Sequence, residues 1–310
     1  MSSAQPNARV QALLDQFAAA CAGQPSRYEL PFQEARAQLL RERQPWLDDG
    51  PECEVEDRRV ESAGRQFRIQ VVGPRNRKAG RLLVYIHGGG WCVGSPETHG
   101  PVVRRLAEAL ECEAWSVDYA LAPEAPFPGG LLDCEAAIDF ARREYPHAEL
   151  VVGGDSAGAN LAVGAALRLR DRDKRLPEAL LLFYGVYTDS CRGASMDAYG
   201  DGRYGLSIMA HQRYMAAYGG ENGPAPDDAG YAYPLRAGVE LNGLPRSYLM
   251  AAQIDILRDQ SHAFAAALRA AQVDVALDEV EGVTHGFLAY GKVLPEVGTG
   301  VARAAQFVNR

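Results

Sequence analysis

No stretch of this chain approaches the roughly 20 consecutive apolar residues that a bilayer-spanning helix needs. The opening Met1-Ser2-Ser3-Ala4-Gln5-Pro6 lacks the basic flank and apolar core of a secretory leader, so an export signal is not expected. Positive charge is short as well. The 32 Lys and Arg stand against 40 Asp and Glu, a net of −8, which argues against nucleic acid and against an anionic membrane as partners. Cysteine clusters are missing. Cys21, Cys53, Cys92, Cys112, Cys134 and Cys191 are scattered without a Cys-x-x-Cys spacing. A zinc site or a disulfide framework would want clusters, so the expectation is reduced, mostly buried thiols in a cytoplasmic protein. No Gly-x-Gly-x-x-Gly follows Ile86 and no Gly-Lys-Ser/Thr occurs, which leaves no phosphate-cradling loop. No metal site is expected.

What remains is an ordinary globular composition, 47% apolar and 23% charged, in 310 residues, enough for one large α/β domain or two smaller ones. Residues 1–50 read as helical, with Val10, Leu13, Leu14 and Phe17 at helical spacing and then Ala35, Leu39 and Leu40. Pro25, Pro31 and Pro45 divide the stretch, and it carries no residue that looks catalytic. Two strand-like segments follow, Glu54–Glu61 and Arg65–Val72, joined by the glycine-ended turn Ser62-Ala63-Gly64.

Strands and helices then alternate. The strands are Leu82–Ile86, Ala114–Val117, Leu150–Val152, Ala179–Tyr184, Ser247–Ala252 and Val275–Val280. Between them the spacing predicts helices at Val102–Leu110, Leu131–Arg143, Asn160–Arg170 and Ser261–Ala271, with a last one around Val301–Val308. Mostly apolar strands separated by helices imply a parallel sheet covered on both faces. The alternation lapses at 188–230, which is rich in Gly, Asp, Tyr and Met and has one helical piece near Ile208–Tyr218.

Two short motifs carry the chemistry. Gly154-Asp155-Ser156-Ala157-Gly158 lies directly between a buried strand and a helix. A serine hydroxyl is a poor nucleophile unless a strained turn thrusts it out beside a base and beside oxyanion donors. His87-Gly88-Gly89-Gly90-Trp91 follows another buried strand. A glycine run there lets bare amides point at a developing negative charge. Gly89 and Gly90, with the amide of Ala157 after the serine, are the expected oxyanion donors, and Gly88 serves the turn.

In sites built on such a turn the partners follow in the chain order Ser, acid, His. Of the six histidines, only His262 and His285 come after the irregular region. His262 sits within an amphipathic helical stretch, whereas His285 follows a strand, at the carboxyl end where ligands gather in open parallel sheets. His285 is the expected base. Asp255, nearest the end of the preceding strand, is the expected acid, with Asp259 as the helix-start alternative. An imidazole must be neutral to accept a proton, so activity is expected to fall in mildly acid solution.

These motifs in this order, with Asp118-Tyr119-Ala120-Leu121-Ala122-Pro123-Glu124, Asp255-Ile256-Leu257-Arg258-Asp259 and His285-Gly286-Phe287, resemble the hormone-sensitive-lipase-like (family IV) esterases, especially the bacterial acetyl-esterase-like members. That group usually has Arg where this chain has Ala120. The resemblance covers residues 55–310. It implies an α/β-hydrolase fold: a mostly parallel central sheet, helices on both faces and a helical cap. The single domain would span 1–310, with cap elements at about 1–50 and 188–230 and a core at 54–187 and 231–310. It further implies a serine carboxylesterase for short-to-medium acyl esters, a small-molecule substrate and no cofactor. Many relatives dimerise, so a homodimer stays open.

His87 and Glu124 are expected to brace the oxyanion loop, and Asp155 to anchor the serine turn. Trp91 either lines the pocket or packs beneath the loop. Cap residues including Tyr199, Tyr204, Met209, Tyr214 and Met215 are expected to bear on pocket length. Two rival readings remain: an amidase or formamidase using the same three side chains, and a hydrolase-fold receptor that binds a ligand without turnover. The second is expected to lack a member of the Ser156, Asp255, His285 set, and all are present.

Overall fold

The computed structural model describes residues 4–310; the leader reading, which rests partly on Met1–Ser3, lies in part outside them. The strands are β1 (Cys53–Ser62), β2 (Arg65–Pro74), β3 (Arg81–Ile86), β4 (Glu113–Asp118), β5 (Glu149–Asp155), β6 (Ala179–Phe183), β7 (Arg246–Ile254) and β8 (Val275–Thr284). They form one sheet in the order β1-β2-β4-β3-β5-β6-β7-β8. The strands from β3 onward pair in parallel, whereas β2 is antiparallel to both β1 and β4. The β1–β2 connection is the two-residue loop Ala63-Gly64 with φ of 51° and 73°. Positive φ at both positions matches the twist of the flanking strands and closes the hairpin tightly.

The helices are α1 (Ala8–Ala20), α2 (Phe32–Arg43), α3 (Pro96–Ala109), α4 (Gly129–Glu144), α5 (Ala157–Arg170), α6 (Ala194–Tyr199), α7 (Ile208–Gly219), α8 (Ala229–Ala232), α9 (Arg258–Ala270) and α10 (Pro295–Val308). Alternation along each strand explains why both faces need cover. Leu82, Val84 and Ile86 of β3 join one core with Leu131 of α4, Leu161 of α5 and Phe264 of α9. Leu83 and Tyr85 join the other, with Leu13 of α1, Leu106 of α3 and Phe307 of α10. A period of two sends neighbouring residues to opposite faces, so a strand apolar throughout is stable only between two helical layers.

Helix α3 begins six residues before the expected Val102. The Ser95 hydroxyl and Thr98 form a reciprocal cap, and Pro96 occupies the first helical position, where its missing N–H costs nothing. Pro101 is tolerated inside the helix, which periodicity alone would not suggest. Segment 188–230 holds α6 and the start of α8 besides the expected helix, now α7. Among the described residues no helix is long and apolar enough to cross a membrane. Cys92, Cys112 and Cys134 are buried, whereas Cys21, Cys53 and Cys191 are partly exposed, and all six are free thiols.

Candidate active site

Strand order reverses between β3 and β5, where β4 lies to one side and β6 to the other, and the crevice at such a point is where α/β sheets bind ligands. The glycine loop leaves β3 there and the serine turn leaves β5. Ser156 links β5 directly to α5 with φ 54° and ψ −120°, a conformation that L-residues resist. Its amide donates to the Phe183 carbonyl at 2.8 Å, which holds the turn against β6. Gly158 allows the close approach: a Cβ there would lie 1.9 Å from the Ile86 carbonyl oxygen.

The last registered pair between β7 and β8 is Ile254 with Thr284, beyond a bulge at Ala252/Ile254. The next residues, Asp255 and His285, therefore leave the sheet side by side. Asp255 Oδ2 lies 2.7 Å from His285 Nδ1, and His285 Nε2 lies 2.9 Å from Ser156 Oγ. Asp255 is 2% exposed, and its Oδ1 accepts the Leu257 amide at 2.9 Å. A carboxylate on Nδ1 places the proton there and leaves the Nε2 lone pair facing the serine hydroxyl. Asp259 sits in the first turn of α9 and accepts the Ser195 amide at 2.8 Å. His262 pairs with Glu279 at 2.6 Å, away from the serine.

In the glycine loop, the Gly88 amide is already committed to Asp155 Oδ1 at 2.9 Å. The amides of Gly89, Gly90 and Ala157 donate to no other described residue. Ala157 also opens α5, so its N–H lies at the positive end of a helix. Gly90 has φ 59°, and a Cβ there would meet the Tyr214 ring at 2.4 Å. Only glycine lets α7 close on the loop.

Bracing comes from several directions. Asp155 Oδ1 also accepts the Tyr85 hydroxyl at 2.7 Å, and Oδ2 lies 3.5 Å from His99 Nε2. His87 is fully buried, stacked on Tyr119 with ring centroids 4.3 Å apart, its Nδ1 2.8 Å from the Gly88 carbonyl. Burial pushes its pKa down to about 3, so the ring is neutral. Trp91 stacks on Tyr218 at 4.2 Å and donates from Nε1 to Asn160 at 3.1 Å, packing beneath the loop while also touching the cavity. Glu124 reaches the loop through Arg36 of α2, which donates to the carbonyls of Cys92 (2.8 Å) and Ala122 (2.9 Å) and holds both Glu124 oxygens. Arg36 lies in the stretch that carried no residue of apparent chemical interest. No periodicity or motif marks it, because its partners are backbone carbonyls more than fifty residues away.

Helices α2 and α7 meet above the loop. Tyr28 and Phe32 pack on Tyr214 with centroids 6.1 Å away in each case, and the Arg213 guanidinium lies 4.3 Å over Phe32. Beneath them is a cavity of about 90 Å³ containing Ser156 and His285. Larger clefts exist, including one of about 960 Å³ between residues 21–42 and 200–213, but neither Ser156 nor His285 lines that one. Of the cap residues expected to bear on pocket length, only Tyr214 lines the cavity. Tyr199 and Tyr204 pack on each other at 5.8 Å, Met215 packs on the core, and Met209 is 70% exposed. Residues that the sequence did not mark for the pocket take those places: Tyr28, Leu39, Arg43, Leu206 and His211. Among the described residues no cluster of three His, Cys, Asp or Glu could hold a metal ion.

Comparison with known proteins gives a consistent picture. The α/β-hydrolase fold family matches residues 83–289. An arylesterase of Saccharolobus solfataricus is 31% identical over 265 residues, 83% of this chain and 84% of the relative. An ethyl acetate hydrolase of Pseudomonas putida is 32% identical over 241 residues, 75% of this chain and 74% of the relative. Among solved structures, an ester hydrolase from the metagenome of Lake Arreo, complexed with a bipyridine phosphonate derivative, is 31% identical. It superposes with a TM-score of 0.90 over 98% of each chain.

Proposed function

Because the chain belongs to the α/β-hydrolase family, among its hormone-sensitive-lipase-like carboxylic ester hydrolases, we propose that it cleaves short-to-medium acyl esters through a Ser156–His285–Asp255 triad and an acyl-enzyme. The single observation that supports the triad most is the unbroken relay from Asp255 to His285 at 2.7 Å and on to Ser156 at 2.9 Å.

His285 Nε2 takes the hydroxyl proton as Ser156 Oγ attacks the ester carbonyl, and Asp255 stabilises the imidazolium. The amides of Gly89, Gly90 and Ala157 receive the tetrahedral oxyanion. Among the described residues they have no competing acceptor, so little reorganisation is needed as charge develops. His285 then gives its proton to the leaving alcohol. Water, deprotonated by the same nitrogen, attacks the acyl-serine and releases the acid.

Helices α2 and α7 act as the cap, and residues 1–50 and 188–230 supply it. A cavity of about 90 Å³ is small beside the roughly 300–1,000 Å³ of drug-sized sites, which favours short acyl groups. The names of the relatives, an ethyl acetate hydrolase and an arylesterase, favour alcohol over amine leaving groups. The test is hydrolysis of p-nitrophenyl esters from acetyl to dodecanoyl, with Ser156→Ala alongside. Turnover that peaks at short chains and vanishes in the variant is expected. A folded wild type with no turnover above the variant would overturn the reading.

A further inference from the structure

Among the described residues, no anion pairs with one guanidinium on the wall of this cavity. Arg43, in the last turn of α2, lines the chamber that holds Ser156 and His285. Its Nη1 is buried with no hydrogen-bond partner. Its one packing contact of note is the Tyr290 ring, 4.9 Å from the guanidinium carbon. Burying a cationic N–H is costly unless an anion or acceptor meets it, so such an atom calls for an explanation.

No resident carboxylate supplies one. Arg27, the other guanidinium on this wall, is already satisfied: Nη1 pairs with Glu42 and Nη2 donates to the Tyr28 hydroxyl at 2.7 Å. Asp255 is held by His285 and the Leu257 amide. Asp155 is held by Tyr85, the Gly88 amide and His99. Tyr184, whose ring edge meets His285 at 5.0 Å, lies in the field of Arg43 as well as of both aspartates. The free charge of Arg43 is therefore near the reacting groups.

A second orphan comes from the opposite side of the cap. His211 of α7 is 3% exposed, lines the same cavity, and its Nε2 is buried without a partner. Burial, with His285 nearby, lowers its pKa to about 4, so at neutral pH it offers one N–H donor and one acceptor nitrogen. Helices α2 and α7 each bring one unsatisfied polar group to one chamber. A planar carboxylate is the ligand that can take charge-assisted hydrogen bonds from a guanidinium and one more from a neutral imidazole.

We propose that Arg43 and His211 form a recognition site for a carboxylate carried by the substrate, so that short esters bearing a free carboxylate are selected over neutral esters of the same shape. The proposal rests on the esterase reading and names its substrate class.

The test measures kcat/KM by pH-stat titration for two matched pairs in which an isopropyl group replaces the carboxylate. Monoethyl succinate against ethyl isocaproate puts the charge on the acyl side. β-Acetoxypropionate against isoamyl acetate puts it on the alcohol side. In at least one pair the anionic member is expected to be preferred, on the order of tenfold or more, as for a charge-assisted hydrogen bond. Arg43→Gln should bring that ratio to one or below, and Arg43→Lys should keep part of it. Arg41→Gln removes the same charge from an exposed position on the same helix end and should leave the ratio intact. Ratios of one or below in both wild-type pairs would overturn the proposal, as would a preference that Arg43→Gln does not move. Absence of turnover of all four esters in wild type would sink the esterase reading itself, whereas turnover with ratios of one or below sinks only the carboxylate site.

Discussion

Asp155 joins the serine turn to the glycine loop, and substitution there separates its charge from its hydrogen bonds. The side chain belongs to a residue 5% exposed, and a single oxygen, Oδ1, accepts both the Tyr85 hydroxyl and the Gly88 amide. Burial by itself would raise its pKa; the His99 imidazole, the Tyr85 hydroxyl and the Gly88 amide outweigh it and bring it from 3.8 down to about 2. A carboxyl held that low in the native state stabilises the fold by roughly 2 kcal/mol. Because the folded value is depressed, this stabilisation is complete above the unfolded pKa and is lost as the pH falls toward about 2. Asp155→Asn keeps an oxygen for both donors and removes the charge, so it should cost roughly 2 kcal/mol at pH 7. Asp155→Ala strands two buried donors at about 1–3 kcal/mol each, a large share of a global stability of about 5–15 kcal/mol. It should also free the glycine loop and lower kcat/KM by about 10²-fold through misplacement. Urea unfolding followed by tryptophan fluorescence at pH 7, 5 and 3 would measure this. The gap between wild type and Asp155→Asn should persist at pH 5 and shrink to about half at pH 3. No gap at pH 7, or one that does not change between pH 5 and pH 3, would refute the reasoning.

Two further substitutions probe the bracing. Arg36→Met leaves the Cys92 and Ala122 carbonyls without their donor and should cost about 1–3 kcal/mol together with a lower kcat. Glu124→Gln, with its side chain 61% exposed, should cost less than about 1 kcal/mol; equal losses in thermal melts would show that the exposed ion pair, not the carbonyl clamp, matters. Gly158→Ala would push a methyl to 1.9 Å from the Ile86 carbonyl oxygen, so a loss at or above about 3 kcal/mol is expected. A variant as stable to denaturant as wild type would mean that the approach of β3 to the serine turn is looser than the structure has it.

Much of this protein was legible without coordinates, because the relevant physics is local. A strand such as Leu82–Ile86 advertises burial on both faces by being apolar throughout, and a Gly-x-Ser-x-Gly between strand and helix advertises a strained turn. Asp255 and His285 were reachable from chain order and strand ends alone. Helix α3 starts six residues before the expected Val102 because Ser95 and Thr98 supply a cap that extends the helix back past Pro101. The antiparallel placement of β2 beside β4 had no local signal either; its register is set by partners such as Arg68 and Asp118, fifty residues apart.

The interior of the cavity was decided by tertiary structure alone. Arg43 and His211 sit on helices whose periodicity records only which face is buried, and a buried face looks the same whether it meets apolar core or substrate. Tyr199 and Tyr204 carry the same composition as Tyr214 yet pack on each other, while Tyr214 closes over Gly90. Which side chains converge on the serine depends on how α2 and α7 cross above the glycine loop. That crossing is a sum of contacts between segments about 185 residues apart, and such contacts leave no spacing in the sequence to be read.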